Sequence, residues 1–306
     1  MGKLIKILKL GRFQFLMAGL FLYTIGALFA TLNTGEFSWL QFWWGYAILM
    51  PAHLSISYSN DYFDLEVDKL APPTNFTGGS GILVENPELR NFAKQFALFL
   101  IILSLLIALL FSWKYSSPEI FILAIFGNLL GWFYSAPPIK LSYNGFGEIS
   151  TIITGFIIPA LGYLAMVGYI DLKLFLFTIP IMIFQLLFIC SVEIPDLESD
   201  SKGVKNTLIV RKGREFGFKI MGICSILGTI IFFALSYAKI YPPIINFNII
   251  SIISIILLIP SVIGFLIRPN TKRKATELSE KILISLILFS ALTAFYFAYT
   301  TFILLS

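Results

Sequence analysis

The chain has 306 residues, 58% of them hydrophobic and only 13% charged, with a mean hydropathy of +0.87. A soluble domain carries roughly 25% charged residues, so the composition excludes an ordinary soluble globular domain. The net charge of +5 would suit nucleic acid. The basic residues, however, gather in alternate loops, which is the pattern of membrane topology, and no nucleic-acid partner is expected.

Apolar runs recur along the whole length, so the chain is polytopic. A crossing needs about 20 apolar residues. Nine runs qualify, at roughly 13–32, 38–58, 92–112, 118–136, 149–168, 172–192, 217–238, 246–267 and 282–304. Lys3, Lys6 and Lys9 alternate with apolar residues ahead of the first run, and no small-residue cleavage site follows it, so a cleavable signal peptide is not expected. Asn128 interrupts the fourth run, and Gly155 and Pro159 interrupt the fifth. Pro51, Pro159, Pro180 and Pro260 fall inside runs and mark kinks more than ends, because neighbouring helices can satisfy the carbonyls they free.

With a cytoplasmic N-terminus, the outside connections hold only Lys114, Lys173 and Lys239 of the 22 basic residues. The C-terminus then lies outside. The long connections, 59–91, 134–148, 193–216 and 268–281, all fall on the cytoplasmic side. The expected fold is an all-α membrane protein forming one domain over 1–306. It has topological halves at about 1–145 and 146–275, plus a ninth helix at 282–304.

The second run leads straight into Asn60, Asp61, Asp64, Glu66 and Asp68. The sixth leads into Glu193, Asp196, Glu198 and Asp200. Asp64/Asp68 and Asp196/Asp200 are i, i+4 pairs, so on a helix each pair shares a face. A solvated helix end normally carries mixed charge, whereas here only Lys69 accompanies the first cluster. Packed carboxylates repel one another unless a cation sits between them. Mg²⁺ prefers a few carboxylates plus substrate phosphate oxygens. Two aspartate pairs bridging magnesium to a diphosphate suit that preference.

Other residues join this expectation. Lys205, five positions past Asp200, could neutralise phosphate charge. Arg211, Lys212 and Arg214 read more simply as positive-inside charge. Tyr134, Ser135, Pro137, Pro138 and Lys140 end the fourth run on the same side. A hydroxyl and an ammonium there could bind a leaving diphosphate, or serve as an interface tyrosine and a snorkelling lysine. His53 shares a helix face with Asn60, and Asn128 points to the bundle interior as glue or as a pocket wall. The segment from Pro72 to Gly81, with Thr77, Gly78, Gly79 and Ser80, suits a phosphate nest or a plain connector, and lacks the lysine of a P-loop. Cys190 and Cys224 lie in apolar runs as packing residues.

The set in its order, Asn60-Asp61-x-x-Asp64-x-x-x-Asp68, Tyr134-Ser135-x-Pro137-Pro138 with Lys140, and Asp196-x-x-x-Asp200 with Lys202, Gly203, Lys205 and Thr207, resembles the UbiA superfamily of intramembrane prenyltransferases. The resemblance covers nearly the whole chain. It implies nine transmembrane helices around a central cavity, capped by cytoplasmic loops that carry the two Asp-rich motifs. It implies that Asn60, Asp64, Asp68, Asp196 and Asp200 hold Mg²⁺ and, through it, an isoprenyl diphosphate. Lys140 and Lys205, with Lys202 beside the second motif, match its diphosphate-binding side. Tyr134, with Ser135, matches the reacting end, and Arg12 a cap arginine. Asp61 is a supporting partner or a base. The expected partners are an isoprenyl diphosphate, a small aromatic or lipid acceptor and membrane lipid. Many members carry an Arg-Pro-x-Pro-Ser-Gly type segment after the first motif. This chain has Asn75-Phe-Thr-Gly-Gly-Ser-Gly81 and no arginine, which looks closer to the dihydroxynaphthoate-like branch than to the hydroxybenzoate or glyceryl-phosphate branches. A cation transporter would also use intramembrane carboxylates, but near the midplane rather than at helix ends on one side. A CDP-alcohol phosphotransferase would need an Asp-Gly-x-x-Ala-Arg signature, which is missing.

Overall fold

Short polar residues set the helix starts. Ser38, Asp171, Thr207 and Asn246 each accept a backbone N–H two or three residues on, at 2.9–3.3 Å, supplying acceptors that a helix N-terminus lacks. The computed structural model describes residues 2–70 and 79–306, with the side chains of Lys3 and Gln14 left aside. Pro72, Pro73, Thr77 and Gly78 of the glycine-rich segment lie outside the described residues. Among those described, all regular structure is helical. The elements are α1 (Lys3–Leu10), α2 (Phe13–Thr34), α3 (Trp39–Phe63), α4 (Leu65–Asp68), α5 (Ile82–Glu85), α6 (Arg90–Tyr115), α7 (Pro118–Trp132), α8 (Gly147–Val167), α9 (Leu172–Lys202), α10 (Leu208–Lys212), α11 (Arg214–Leu235), α12 (Phe247–Ile267) and α13 (Lys272–Leu305).

Seven helices among the described residues, α2, α6, α8, α9, α11, α12 and α13, are long and apolar enough to cross a membrane. The other two expected crossings fall on α3 and α7. The 25 residues of α3 are diluted by Gln41, His53, tyrosines and serines, and α7 has only 15 residues against the 20 or so a crossing needs. None of the four prolines inside the expected runs ends its helix.

The helices bury one main core. The ring of Phe29 on α2 stacks on Phe177 of α9 at 4.1 Å between centroids, and Phe297 of α13 closes the group. Where α2 meets α8, Gly26 faces the Pro159 carbonyl, and any side chain there would overlap it. Small residues of this kind let membrane helices approach backbone to backbone. A second cluster, including Leu10, Leu54, Tyr58, Leu65 and Ile82, seats α1, α4 and α5 over the end of α3. There the Tyr58 hydroxyl donates to the Ile7 carbonyl at 2.9 Å.

Two expectations about the cap are corrected. The second acidic motif is not on a loop: α9 runs unbroken through Pro195 to Lys202, a rod of 31 residues, or about 46 Å at 1.5 Å per residue. Likewise α13 begins at Lys272, ten residues before the expected apolar start. The first motif straddles a bend. α3 gives way at Asp64, yet the Asp64 amide donates to the Asn60 carbonyl at 2.8 Å and the Asp68 amide to the Asp64 carbonyl at 2.9 Å. The helical ladder thus continues through the bend and keeps Asp64 and Asp68 on one side.

Candidate active site

The ends of α3 and α9, together with α4, wall a polar cleft of about 110 Å³. Asn60, Asp61, Asp64 and Asp68 line one side, and Asp196 and Asp200 the other. Lys205 joins them. Its Nζ lies 3.1 Å from Asp64 Oδ2 and 3.4 Å from Asp200 Oδ1, one carboxylate from each motif. Burial alone would lower the Lys205 ammonium, but Asp64 and Asp200 outweigh it and hold it well above its ordinary value.

Asp64 is bound through both of its oxygens. Oδ2 also accepts from Ser135 Oγ at 3.0 Å, and Oδ1 accepts from the Tyr143 hydroxyl at 2.9 Å. Asp61 is turned to the glycine-rich segment, accepting from the Ser80 amide at 3.3 Å and from the Ser80 hydroxyl. Burial, then the charges of Asp61 and Asp64, push the Asp68 carboxyl up to about 8. A cation at this spot would relieve that repulsion.

Gly79 packs directly on Asp68. Its φ is +66, and a Cβ would overlap the Asp68 carboxylate. Gly79→Ala is therefore expected to displace Asp68, at a backbone cost of about 1 kcal/mol or more. A paired measurement of thermal midpoint and transfer rate checks it, with the rate falling further than the midpoint accounts for.

Beneath the cleft lies a larger apolar cavity of about 280 Å³. The two share Arg12, Asn60, Tyr134, Ile189 and Val192 as a border. His53 and Asn128 belong to the apolar cavity, not to the cleft. Asn128 donates to Ser104 Oγ at 3.2 Å and to the Ala124 carbonyl at 2.8 Å, and the His53 ring packs against Gly19 of α2. Arg12 borders both spaces, with its guanidinium over the Phe15 ring at 4.8 Å. Ser135 sits behind Asp64. Lys140 lines neither space; its Nζ stands over the Tyr143 ring at 5.0 Å. Lys202 is exposed on the last turn of α9, away from the cleft.

Three further groups shape the site: Tyr143, which has no place in the motif-based expectation, and Glu193 and Glu148, to which it gives no role. Tyr143 holds Asp64, and only its position three residues past Lys140 hints at that. Burial and the neighbouring Asp64 raise its phenol, keeping it a donor. Glu193 lines the cleft fully buried, three residues before Asp196 just as Asp61 precedes Asp64. Glu148 accepts from the Leu208 amide at the start of α10.

The donor set fits a divalent cation. Carboxylates from both motifs face one cleft, and Asn60 Oδ1 is buried there with no hydrogen-bond partner. Among the described residues no three His, Cys, Asp or Glu side chains converge on a point.

Residues 20–287 match the model of the UbiA prenyltransferase family. The chain belongs to that family. As a UbiA-family prenyltransferase it is an integral-membrane enzyme of prenyl-group transfer. Its fold is similar to a UbiA homologue from Archaeoglobus fulgidus bound to GPP and Mg²⁺, at 18% identity and a TM-score of 0.71, covering 96% of this chain and 99% of that one. It is also similar to a structure of digeranylgeranylglyceryl phosphate synthase, at 18% identity and a TM-score of 0.61, covering 95% and 99%. In sequence it is 28% identical over 95 residues to the 1,4-dihydroxy-2-naphthoate octaprenyltransferase of Bacillus subtilis, a stretch that is 31% of this chain and 30% of that relative.

Proposed function

We propose that this UbiA-family enzyme moves an isoprenyl group from a polyprenyl diphosphate, such as geranylgeranyl diphosphate, to the electron-rich ring of a quinone precursor of the dihydroxynaphthoate or hydroxybenzoate kind. One observation carries the reading: a cleft of paired carboxylates and a lysine shares a border with an apolar cavity. A prenyl diphosphate has the same two-part chemistry. Its head suits the cleft and its tail the cavity.

Asn60, Asp64, Asp68, Asp196 and Asp200 would hold Mg²⁺, the ion named with GPP in the Archaeoglobus structure. When bound, such a cation stabilises the leaving diphosphate as the C–O bond breaks. Lys205 adds fixed positive charge beside the head, and Lys140 adds it from the edge. Tyr134, at the border of cleft and cavity, would stand near the reacting carbon. The aromatic acceptor is supported by the dihydroxynaphthoate relative and by the absence of an arginine in the segment after the first motif. A glyceryl-phosphate lipid acceptor is the second reading, supported by the similarity to digeranylgeranylglyceryl phosphate synthase. In the membrane we infer nine crossings, with α3 and α7 inserted by their neighbours. The N-terminus and the cleft are cytoplasmic and the C-terminus outside, on the distribution of lysine and arginine.

The test is purified protein with Mg²⁺ and geranylgeranyl diphosphate against hydroxybenzoate, dihydroxynaphthoate and glyceryl phosphate ethers. Diphosphate release with one aromatic acceptor is the expected result, and release only with the ethers would move the enzyme to the lipid branch. Release with none, for any prenyl donor, would return the carboxylates to the cation-transport alternative.

A further inference from the structure

Lys205 in the cleft and Lys140 beside it are presented by backbone that side-chain-bearing residues seldom adopt. Lys140 has φ +45, and Val204, just before Lys205, has φ +61. Left-handed backbone is uncommon outside glycine and an outlier for a β-branched residue. Such strain persists where the surroundings hold it, and it gathers at functional sites. The two strained turns meet at one ring. Lys140 Nζ stands 5.0 Å and Lys205 Nζ 5.7 Å from the centroid of Tyr143, both within reach of a cation–π attraction. The hydroxyl of that ring donates to Asp64 Oδ1 at 2.9 Å. Its amide closes the Lys140 turn by donating to the Lys140 carbonyl, also at 2.9 Å.

We propose that Tyr143 is a positioning residue that sets the two lysines against Asp64, so that one side chain registers the diphosphate side of the site with the cation side. The proposal rests on the prenyl-diphosphate reading of the cleft. Tyr143 lines neither the cleft nor the cavity and so acts through the groups it touches. Its hydroxyl holds Oδ1 while Ser135 holds Oδ2, which stops the Asp64 carboxylate from rotating. Its face gives two ammonium groups a common support. For Lys140, which does not line the cleft, that support is the link to the site. The hydroxyl and the ring thus have separable jobs: the first orients a cation ligand, the second places phosphate-binding charge.

The experiment removes them one at a time in the full-length protein. Mg²⁺ and inorganic pyrophosphate are the probes, read by calorimetry and by the Mg²⁺ dependence of transfer. Tyr143→Phe keeps the ring. It is expected to raise the Mg²⁺ needed for half-maximal transfer about tenfold, roughly the worth of one hydrogen bond to a charged group. Its affinity for pyrophosphate at saturating Mg²⁺ should stay within about twofold of wild type, as expected when the cation–π face is kept. Tyr143→Leu should weaken pyrophosphate about tenfold as well, since the face that supports both ammonium groups is lost. If it does not fold, Tyr143→Trp, which keeps a face and lacks the hydroxyl, must reproduce the Phe result. Equal losses for Mg²⁺ and pyrophosphate in Tyr143→Phe would mean a packing role and overturn the proposal, as would no loss for Mg²⁺. Failure of the wild-type protein to bind pyrophosphate with any divalent cation would instead remove the reading of the cleft itself.

Discussion

Asp64→Asn is expected to lower prenyl transfer by about three orders of magnitude, at the upper end of what a single preorganised electrostatic group contributes. The substitution keeps the shape and deletes the charge. It also puts an amide NH₂ where the wild-type carboxylate accepts hydrogen bonds, so at least one of Ser135, Tyr143 and Lys205 loses its acceptor. Stability should fall by only about 1–2 kcal/mol, because Lys205 retains Asp200 as a partner. Diphosphate release at saturating Mg²⁺, measured beside the thermal midpoint, separates the two effects. Near-normal release would sink the assignment of Asp64 to the cation.

Lys205→Met should act in the opposite order, on stability first. The ammonium lies between two buried carboxylates that face each other across the motifs. Breaking a buried pair by removing one partner costs about 3–5 kcal/mol, because the remaining charge is uncompensated. Here two carboxylates are left. A divalent cation with pyrophosphate supplies the missing positive charge, so the destabilised variant should regain most of its thermal midpoint when both are added in excess. Transfer stays low, since the fixed charge beside the leaving group is gone. A midpoint equal to wild type without added cation would show that the lysine does not balance those charges.

The apolar runs made most helices legible, because a lipid-facing helix is apolar all round and needs no periodicity to be seen. What they hid are the polar helix ends. The last ten residues of α9 carry Glu193 to Lys202 and look like a loop by composition, yet they continue the helix and so aim Asp196 and Asp200. Lys202 and Lys205 are three residues apart and look alike in sequence. The turn at Gly203 and Val204 leaves the first in solvent and returns the second to the carboxylates. Tyr143 was illegible for another reason. Its partner lies 79 positions away, and a contact of that span leaves no local pattern.

The shared border of cleft and cavity bears on what happens after the bond is made. On the proposed reaction, the two products have opposite solubilities. Diphosphate belongs in water and the prenylated acceptor in lipid. Because Arg12, Asn60 and Tyr134 belong to both walls, the place where those products would separate is also the place where a polar lining meets an apolar one.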